Sequence, residues 1–343
     1  MSDKTKHNRN VGNSFGIDLG TCNIKIYNAA EDQVFSEKNM IAIMNKNRIF
    51  AYGDSAFEMY EKTPANIEIS YPLSCGVIAD IENMKSLVRL YMTDIMKNHV
   101  QPADYYIAVP RDVTEVERKA FNDLIRDAGL KSKRVFSVDM AVADGLGMDI
   151  DVKNAQGVIV VNVGFDTTDI SILSLGGIVL SRLIKIGGRK FDEAVKSAIR
   201  KEYSLIIGSK TAESVKISLS DLEKNEKDAV IYGRDIVTGL PVERHIPTKL
   251  MDECLKEHYM TIIDNIKLIL ERTPPELSSD IYRHGIYLTG GASQVAHLSE
   301  LIGSVTGLRV NVSENPGSSV ALGLARIIKE DQYKSLAYSA EDQ

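Results

Sequence analysis

Val158-Ile159-Val160-Val161-Asn162-Val163-Gly164-Phe165-Asp166-Thr167-Thr168-Asp169-Ile170-Ser171-Ile172-Leu173 decides how this chain folds. An apolar run, a short polar turn and a second apolar run predict a β-hairpin with a polar tip. The pattern has an earlier copy, in which Phe15-Gly16-Ile17-Asp18-Leu19 leads through Gly20-Thr21-Cys22-Asn23 into Ile24-Lys25-Ile26-Tyr27. Two such tips facing each other would clamp phosphate, because glycine lets the backbone approach anionic oxygens and leaves amide N–H groups pointed at them.

Working outward, the 343 residues, 44% hydrophobic and 26% charged, describe a soluble globular protein long enough for two compact lobes. A net charge of -6 argues against general nucleic-acid binding, which needs a basic surface. Cys22, Cys75 and Cys254 form no close pair, so neither a disulfide framework nor a zinc knuckle is indicated, and a reducing cytoplasm suits them. Residues 1–13 are polar, basic and without an apolar core segment, which predicts a disordered tail rather than a signal peptide. With no apolar run of about 18 residues, membrane spanning is not expected.

The first hairpin is followed by short strands at 40–44 and 49–51, a short helix around 54–61, a loop at 72–76 and a helix over 77–98 whose Ile81, Met84, Leu87, Val88, Tyr91 and Ile95 share a face. Tyr105–Val109 is a buried-type strand, and Thr114-x-x-Glu117 opens a helix that Gly129 stops. A strand at 135–138, a small-residue helix at 140–148 and a polar linker at 149–156 place a lobe boundary before the central hairpin. A third strand to Ile186, Gly187-Gly188 and a helix from Arg189 follow, then a helix at 211–219 and a charged segment, 221–227, read as an exposed loop. Strands flank Thr238–Pro241, a long amphipathic helix runs from Lys249 to Arg272, and Pro274-Pro275 ends it. A strand running into Gly290-Gly291, a helix, a strand at 309–312 and a final helix at 318–329 complete the chain.

Asp18 stands just before its glycine turn, where a carboxylate would hold a hydrated Mg²⁺ or position a water. The same residues could equally be a plain hairpin turn. The order of the elements resembles the actin-like ATPase superfamily. The strings Ile17-Asp18-Leu19-Gly20-Thr21, Cys75-Gly76-Val77-Ile78-Ala79-Asp80, Ser174-Leu175-Gly176-Gly177-Ile178-Val179, Thr211-Ala212-Glu213, Gly233-Arg234-Asp235-Ile236-Val237-Thr238-Gly239-Leu240-Pro241, Thr273-Pro274-Pro275-Glu276-Leu277 and Leu288-Thr289-Gly290-Gly291 resemble the bacterial MreB family, from about Ser14 to Lys329.

The resemblance implies an α/β fold of two lobes, each a mixed sheet flanked by helices, with a nucleotide cleft between them. It implies a lobe I core at 14–34, 77–148 and 314–332 with a small subdomain at 35–76, a lobe II core at 149–187 and 249–313 with a small subdomain at 188–248, and a C-terminal tail at 333–343. ATP or ADP would lie against Gly20, Thr21, Cys22, Asn23, Gly164 and Thr167 at the phosphates. Gly187 and Gly188 would lie beside ribose and phosphates, Glu213 and Lys216 around ribose and adenine, and Gly290, Gly291 and Ala292 under the nucleoside, with Asp18 facing Mg²⁺ indirectly. Filaments serving cell shape and wall synthesis, at the inner face of the membrane through partners, are the implied assembly.

The second turn departs from the family's Asp-x-Gly-Gly-Gly-Thr-Thr: Asn162 replaces the magnesium-facing carboxylate, and Phe165 and Asp166 replace two glycines. Asp166 would repel a phosphate unless a metal relieves it or its side chain turns away. Val138 stands where the family's water-orienting glutamate aligns, and valine accepts no proton; the adjacent Asp139 would point the other way along a strand. These residues predict impaired hydrolysis. Two alternatives stay open: a non-polymerising pseudo-ATPase that regulates a conventional family member, and a superfamily enzyme such as a sugar kinase, for which no substrate-directed insert is visible. The six histidines have no metal-ligand spacing, Asp112, Glu115 and Glu117 suit a helix start, and the polar loop 97–104 offers few membrane anchors.

Overall fold

Residues 13–97, 101–222 and 228–339 are described by a computed structural model of the chain. The expected tail up to residue 12, the middle of the loop 97–104 and residues 223–227 of the charged segment lie outside the described residues. The chain divides into two compact units. Unit 1 holds the described residues up to Ala155, Leu173–Ile178 and those from Ser318 onward, and unit 2 holds Gln156–Ile172 and Val179–Gly317. The division after Ala155 falls at the far end of the polar linker rather than at its start.

Unit 1 is built on a six-stranded mixed sheet. Strands β1 (Ser14–Leu19), β2 (Asn23–Asn28) and β3 (Gln33–Lys38) form an antiparallel meander. Beyond them β4 (Ile41–Met44), β5 (Arg48–Tyr52) and β6 (Ile67–Ser70) make a small separate sheet beside helix α1 (Gly53–Met59), and β7 (Leu73–Ser74) and β8 (Val77–Ile78) pair as a two-stranded ribbon. Helix α2 (Ile81–Ile95) begins four residues later than the sequence predicts. The reason is local: Val77 and Ile78 are taken by the ribbon, and the Asp80 carboxylate accepts from the Asn83 amide at 3.0 Å, which caps the helix there. After β9 (Ala103–Val109), helix α3 (Glu115–Asp127) starts at the reciprocal Thr114–Glu117 capping box the sequence announces. Strand β10 (Ser132–Asp139) leads directly into α4 (Met140–Gly147).

In this sheet β1, β9 and β10 run parallel and adjacent, with the order β10-β9-β1-β2-β3. Its apolar face buries Phe15, Ile17, Ile24, Ile26, Tyr105 and Ile107 against Met84, Leu87 and Val88 of α2 and Phe121 and Leu124 of α3.

Unit 2 repeats the plan. Strands β11 (Val158–Val163), β12 (Thr168–Ser174) and β13 (Gly177–Ile184) are consecutive neighbours, with the β12–β13 turn at Leu173–Ile178 grouped with unit 1, and the sheet order is β13-β12-β11-β17-β18. Helix α5 (Gly188–Tyr203) follows, then β14 (Leu205–Ile206), α6 (Ser209–Leu222), β15 (Ala229–Asp235) and β16 (Pro241–Ile246), the three strands forming their own sheet. Helix α7 (Lys249–Arg272) buries Leu255, Tyr259, Ile262, Ile266 and Ile269. Pro274-Pro275 does end it, yet Pro275 also opens a helix that the sequence reading lacks, α8 (Pro275–His284), because proline at the first helical position forfeits no intrahelical hydrogen bond. Strands β17 (Ile286–Thr289) and β18 (Val310–Val312), with α9 (Leu298–Thr306) between them, complete the sheet parallel to β11.

The last helix, α10 (Ser319–Lys329), returns to unit 1 and does not close the fold. A 3-10 turn at Asp331–Leu336 carries the chain to β19 (Tyr338–Ser339), which pairs antiparallel with Ser137 and Phe136 of β10. Part of the stretch expected to be a C-terminal tail is therefore an edge strand.

Candidate functional site

In unit 1 the candidate residues sit at the carboxyl ends of parallel strands, the usual ligand-facing edge of α/β sheets. Ile17 is level with Ile107, and Val138 is level with Ala108, so Asp18 and Val138 flank Ala108 in one row. Residues in one row of a parallel sheet point to the same face, which puts the two side chains about 10 Å apart by strand spacing. A carboxylate at position 138 would thus share a face with Asp18. Val138 is instead a fully buried apolar side chain. Asp139 belongs to the opposite face, where the Tyr338 hydroxyl donates to it at 3.4 Å; burial raises its pKa, opposed by Arg111 and Arg118.

Asp18 is nearly buried and accepts from the Lys25 ammonium at 3.0 Å. The hairpin register sets this pair, since Asp18 lies opposite Lys25. The turn itself is tight: a Cβ on Gly20 would lie 2.6 Å from the Asn23 carbonyl oxygen. Asn39, which the sequence reading does not single out, buttresses this turn. Its side-chain amide donates to the Gly20 carbonyl at 3.0 Å, and its backbone N–H donates to the Cys22 carbonyl at 2.8 Å. The only available signal is position, one residue after β3. Lys38 reaches the Cys22 thiol at 3.3 Å.

In unit 2 the second turn is closed by the Gly164 N–H donating to the Thr167 carbonyl at 2.8 Å. It rests on the start of α5: Gly188 N–H donates to the Gly164 carbonyl at 3.0 Å and Arg189 N–H to the Phe165 carbonyl at 2.7 Å. Only glycine fits at 187, where a Cβ would lie 2.5 Å from the Gly164 oxygen and 2.8 Å from that of Phe165. Gly290 approaches from the other side with φ of +90°, and a Cβ there would lie 2.3 Å from the Val163 oxygen and 2.4 Å from Asn162 Oδ1. A Cβ on Gly188 would touch Ala292, Phe165 and Lys216 at 3.3 to 3.5 Å. Asn162, Gly164, Thr167, Gly187, Gly188, Lys216 and Gly290 to Ala292 are therefore one cluster.

Asp166 turns inward. Its side chain is 3% exposed and ion-paired at 2.6 Å with Arg189 Nε, whose guanidinium lies 4.9 Å over the Phe165 ring. The Asp166 carboxylate thus has a cationic partner within the fold. Lys216 is likewise buried and paired, at 2.7 Å, with Asp192, and donates to the Gly188 carbonyl at 3.4 Å. Burial pushes the Asp192 carboxyl up to about 6, opposed by Lys216 and reinforced by Glu213 and Glu193. Glu213, one helical turn from Lys216, is partly exposed. Neither Arg189 nor Asp192 was visible as a partner in the sequence.

The MreB/Mbl protein family matches residues 12–335. This chain belongs to that family. It is 35% identical over 312 residues to the cell shape-determining protein Mbl of Bacillus subtilis, a match covering 90% of this chain and 93% of that one. Among solved structures it superposes on MreB5 of Spiroplasma citri bound to AMPPNP with a TM-score of 0.88 at 34% identity, covering 94% of this chain and 97% of that one. The ADP-bound structure of the same protein gives 0.87 at 34% identity, covering 93% and 98%. The fold of this MreB/Mbl chain is thus the actin-like one, of the mixed α/β class expected, and the chain is an actin homologue related to cell shape-determining proteins. Among its described residues no helix is long and apolar enough to cross a membrane.

Proposed function

We propose that this MreB/Mbl-family chain binds an adenine nucleotide, ATP or ADP, and assembles into cytoskeletal filaments for cell shape and cell-wall synthesis, with hydrolysis impaired. The observation that carries the binding proposal is the unit 2 cluster, in which two glycine turns and the start of α5 approach at Gly187 and Gly290 too closely for any side chain, with Lys216 beside Gly188. Unit 1 carries a turn of the same glycine-bearing kind at Gly20. The Spiroplasma citri relative, described with ADP and with AMPPNP, supports the same ligand class.

Mg²⁺ would be carried on the nucleotide phosphates, with Asp18 as a carboxylate oxygen donor for its water shell. Such a metal needs few carboxylates beside phosphate oxygens and water. Asp18, steadied by Lys25, is the carboxylate that the family resemblance assigns to it through water. When bound it would neutralise phosphate charge. Impaired hydrolysis follows from Val138, which is buried and accepts no proton in the row it shares with Asp18. The exposed apolar side chains of Val230, Tyr232, Val237 and Leu240 on and between β15 and β16 support self-association.

Isothermal titration calorimetry of the full chain with ATP and Mg²⁺ tests the first part, and absence of any heat or competition would remove it. Phosphate release at a rate far below that of a glutamate-bearing relative, rising in a Val138→Glu, Asn162→Asp variant, tests the second. Pelleting and electron microscopy with ATP test assembly; a chain that stays monomeric at high concentration would instead be a non-polymerising regulator.

A further inference from the structure

We propose that Arg189 is the positioning residue of the second phosphate turn, cancelling the charge of Asp166 and holding it away from the anion. The inference rests on the nucleotide-binding proposal above and deepens it. The turn has gained a carboxylate and an aromatic ring where the family pattern has glycines, and both additions meet at one guanidinium. Arg189 Nε pairs with Asp166 at 2.6 Å, and the guanidinium carbon lies 4.9 Å over the Phe165 ring centre. An arginine suits this place because its delocalised charge can pair with a carboxylate while its flat guanidinium stacks on a ring.

The location of Arg189 in its own helix is otherwise unfavourable. Cations in the first turn of a helix oppose the macrodipole, yet the first turn of α5 holds Arg189 and Lys190 and no acidic residue. Lys190 is answered within the helix by Glu193 at 2.7 Å. Arg189 is answered from outside it, by Asp166. The backbone fixes the encounter, since Arg189 N–H donates to the Phe165 carbonyl at 2.7 Å and Gly187 allows the contact to close. With the pair formed, the turn is electrically near neutral and presents no competing carboxylate to an anion. Without Arg189 the carboxylate would lose the cation that faces it beside the phosphates, and its repulsion would grow with their number.

The test is calorimetric titration of the full chain with ATP, ADP and adenosine, for the wild type, Arg189→Met and Asp166→Asn/Arg189→Met. Arg189→Met is expected to weaken ATP by about tenfold or more and ADP by less, since each tenfold corresponds to a modest electrostatic difference. Adenosine, which has no phosphate, should bind within about twofold of wild type on the same argument. Removing both charges should return ATP to within about threefold of wild type, the non-additivity expected of a contacting pair. Arg189→Lys, which keeps the charge, should lie between, and remains informative if Arg189→Met fails to fold. Equal weakening of all three ligands, or a double variant as weak as the single one, would overturn the assignment of Arg189. A wild type that binds none of them would overturn the nucleotide proposal itself, a different outcome.

Discussion

The two strand-turn-strand tips, at 18–23 and 162–168, occupy equivalent places in the two units but answer their carboxylates by different means. Each follows a strand parallel to a neighbour in its sheet and each leads into a strand beside its own, yet the carboxylate of the first tip is paired from within its hairpin, with Asn39 bracing the turn, and that of the second from a helix outside it. Lys25 pairs with Asp18 across the register of β1 and β2, seven residues away in sequence. Asp166 takes its partner from α5, and the turn is clasped between Gly187 and Gly290. A tip that depends on distant segments can change its own residues if the segments change with it, which is how Phe165 and Asp166 can stand where the family pattern has glycine.

The largest expected effect comes from Gly290. Alanine there must adopt φ near +90° with its Cβ 2.3 Å from a backbone oxygen, so Gly290→Ala should cost about 3 kcal/mol or more of unfolding free energy in urea titrations. Gly20→Ala meets the Asn23 oxygen at 2.6 Å, within a turn of the same hairpin that can relax, and should cost about 1 kcal/mol. Similar costs for the two would mean that the first turn is clasped as firmly as the second.

Lys25→Met comes next. It leaves Asp18 nearly buried without its ion-pair partner, which should destabilise by about 3 kcal/mol, whereas Asp18→Asn/Lys25→Met should recover most of that loss. Measuring the two variants and the wild type by urea denaturation decides it; a single variant no worse than the double would show the bridge to be incidental.

This contrast also explains what could be read from the sequence. The Asp18–Lys25 pair was legible because both residues lie in one hairpin and alternation fixes which residues face each other, whereas Asn39, which braces the same turn, comes from beyond β3. The capping box at Thr114 and Glu117 and the extent of α7 were legible for the same reason, being local. Val138 and Asn162 were noticed through the family pattern, not through physics. Arg189, Asp192 and Asn39 were missed because only the assembled fold brings them to their turns, and an arginine or aspartate on an amphipathic helix carries no mark of its partner. Helix α8 has no separate mark in the sequence because one proline pair both stops α7 and starts α8. Strand β19 is two residues long, too short for periodicity to register.

Behind the second turn, Asp192 offers a smaller, pH-dependent comparison. Its folded pKa is raised to about 6 by burial, from an ordinary value of 3.8, so the folded state binds the proton more tightly than the unfolded state. Stability from this group is therefore greatest below about pH 4 and falls as pH rises to about 6, by about 2 kcal/mol. Asp192→Asn removes that slope. The difference in unfolding free energy between wild type and variant should thus decline across this window and level off above it. A flat difference would mean that Lys216 compensates fully for the burial.

The smallest effect concerns Asn162, the residue that most directly sets the second tip apart from the first. Asn162 is level with Thr289 at the carboxyl end of β11, and its Oδ1 lies 2.4 Å from where a Gly290 Cβ would be, so it stands at the convergence of both glycine turns. Asp18 carries a negative charge at the matching place, but Lys25 answers it. A carboxylate at 162 would have no such cross-strand lysine, and Arg189 is already engaged by Asp166. Asn162→Asp should therefore weaken ATP binding by about tenfold in EDTA, where only protein groups can offset the charge, and by much less with Mg²⁺. The wild type, with its neutral amide, should respond less to the chelator. If the variant binds ATP equally well with and without Mg²⁺, Asn162 does not face the phosphates, and the loss of a carboxylate at the second tip would have to be explained by packing against Gly290 instead.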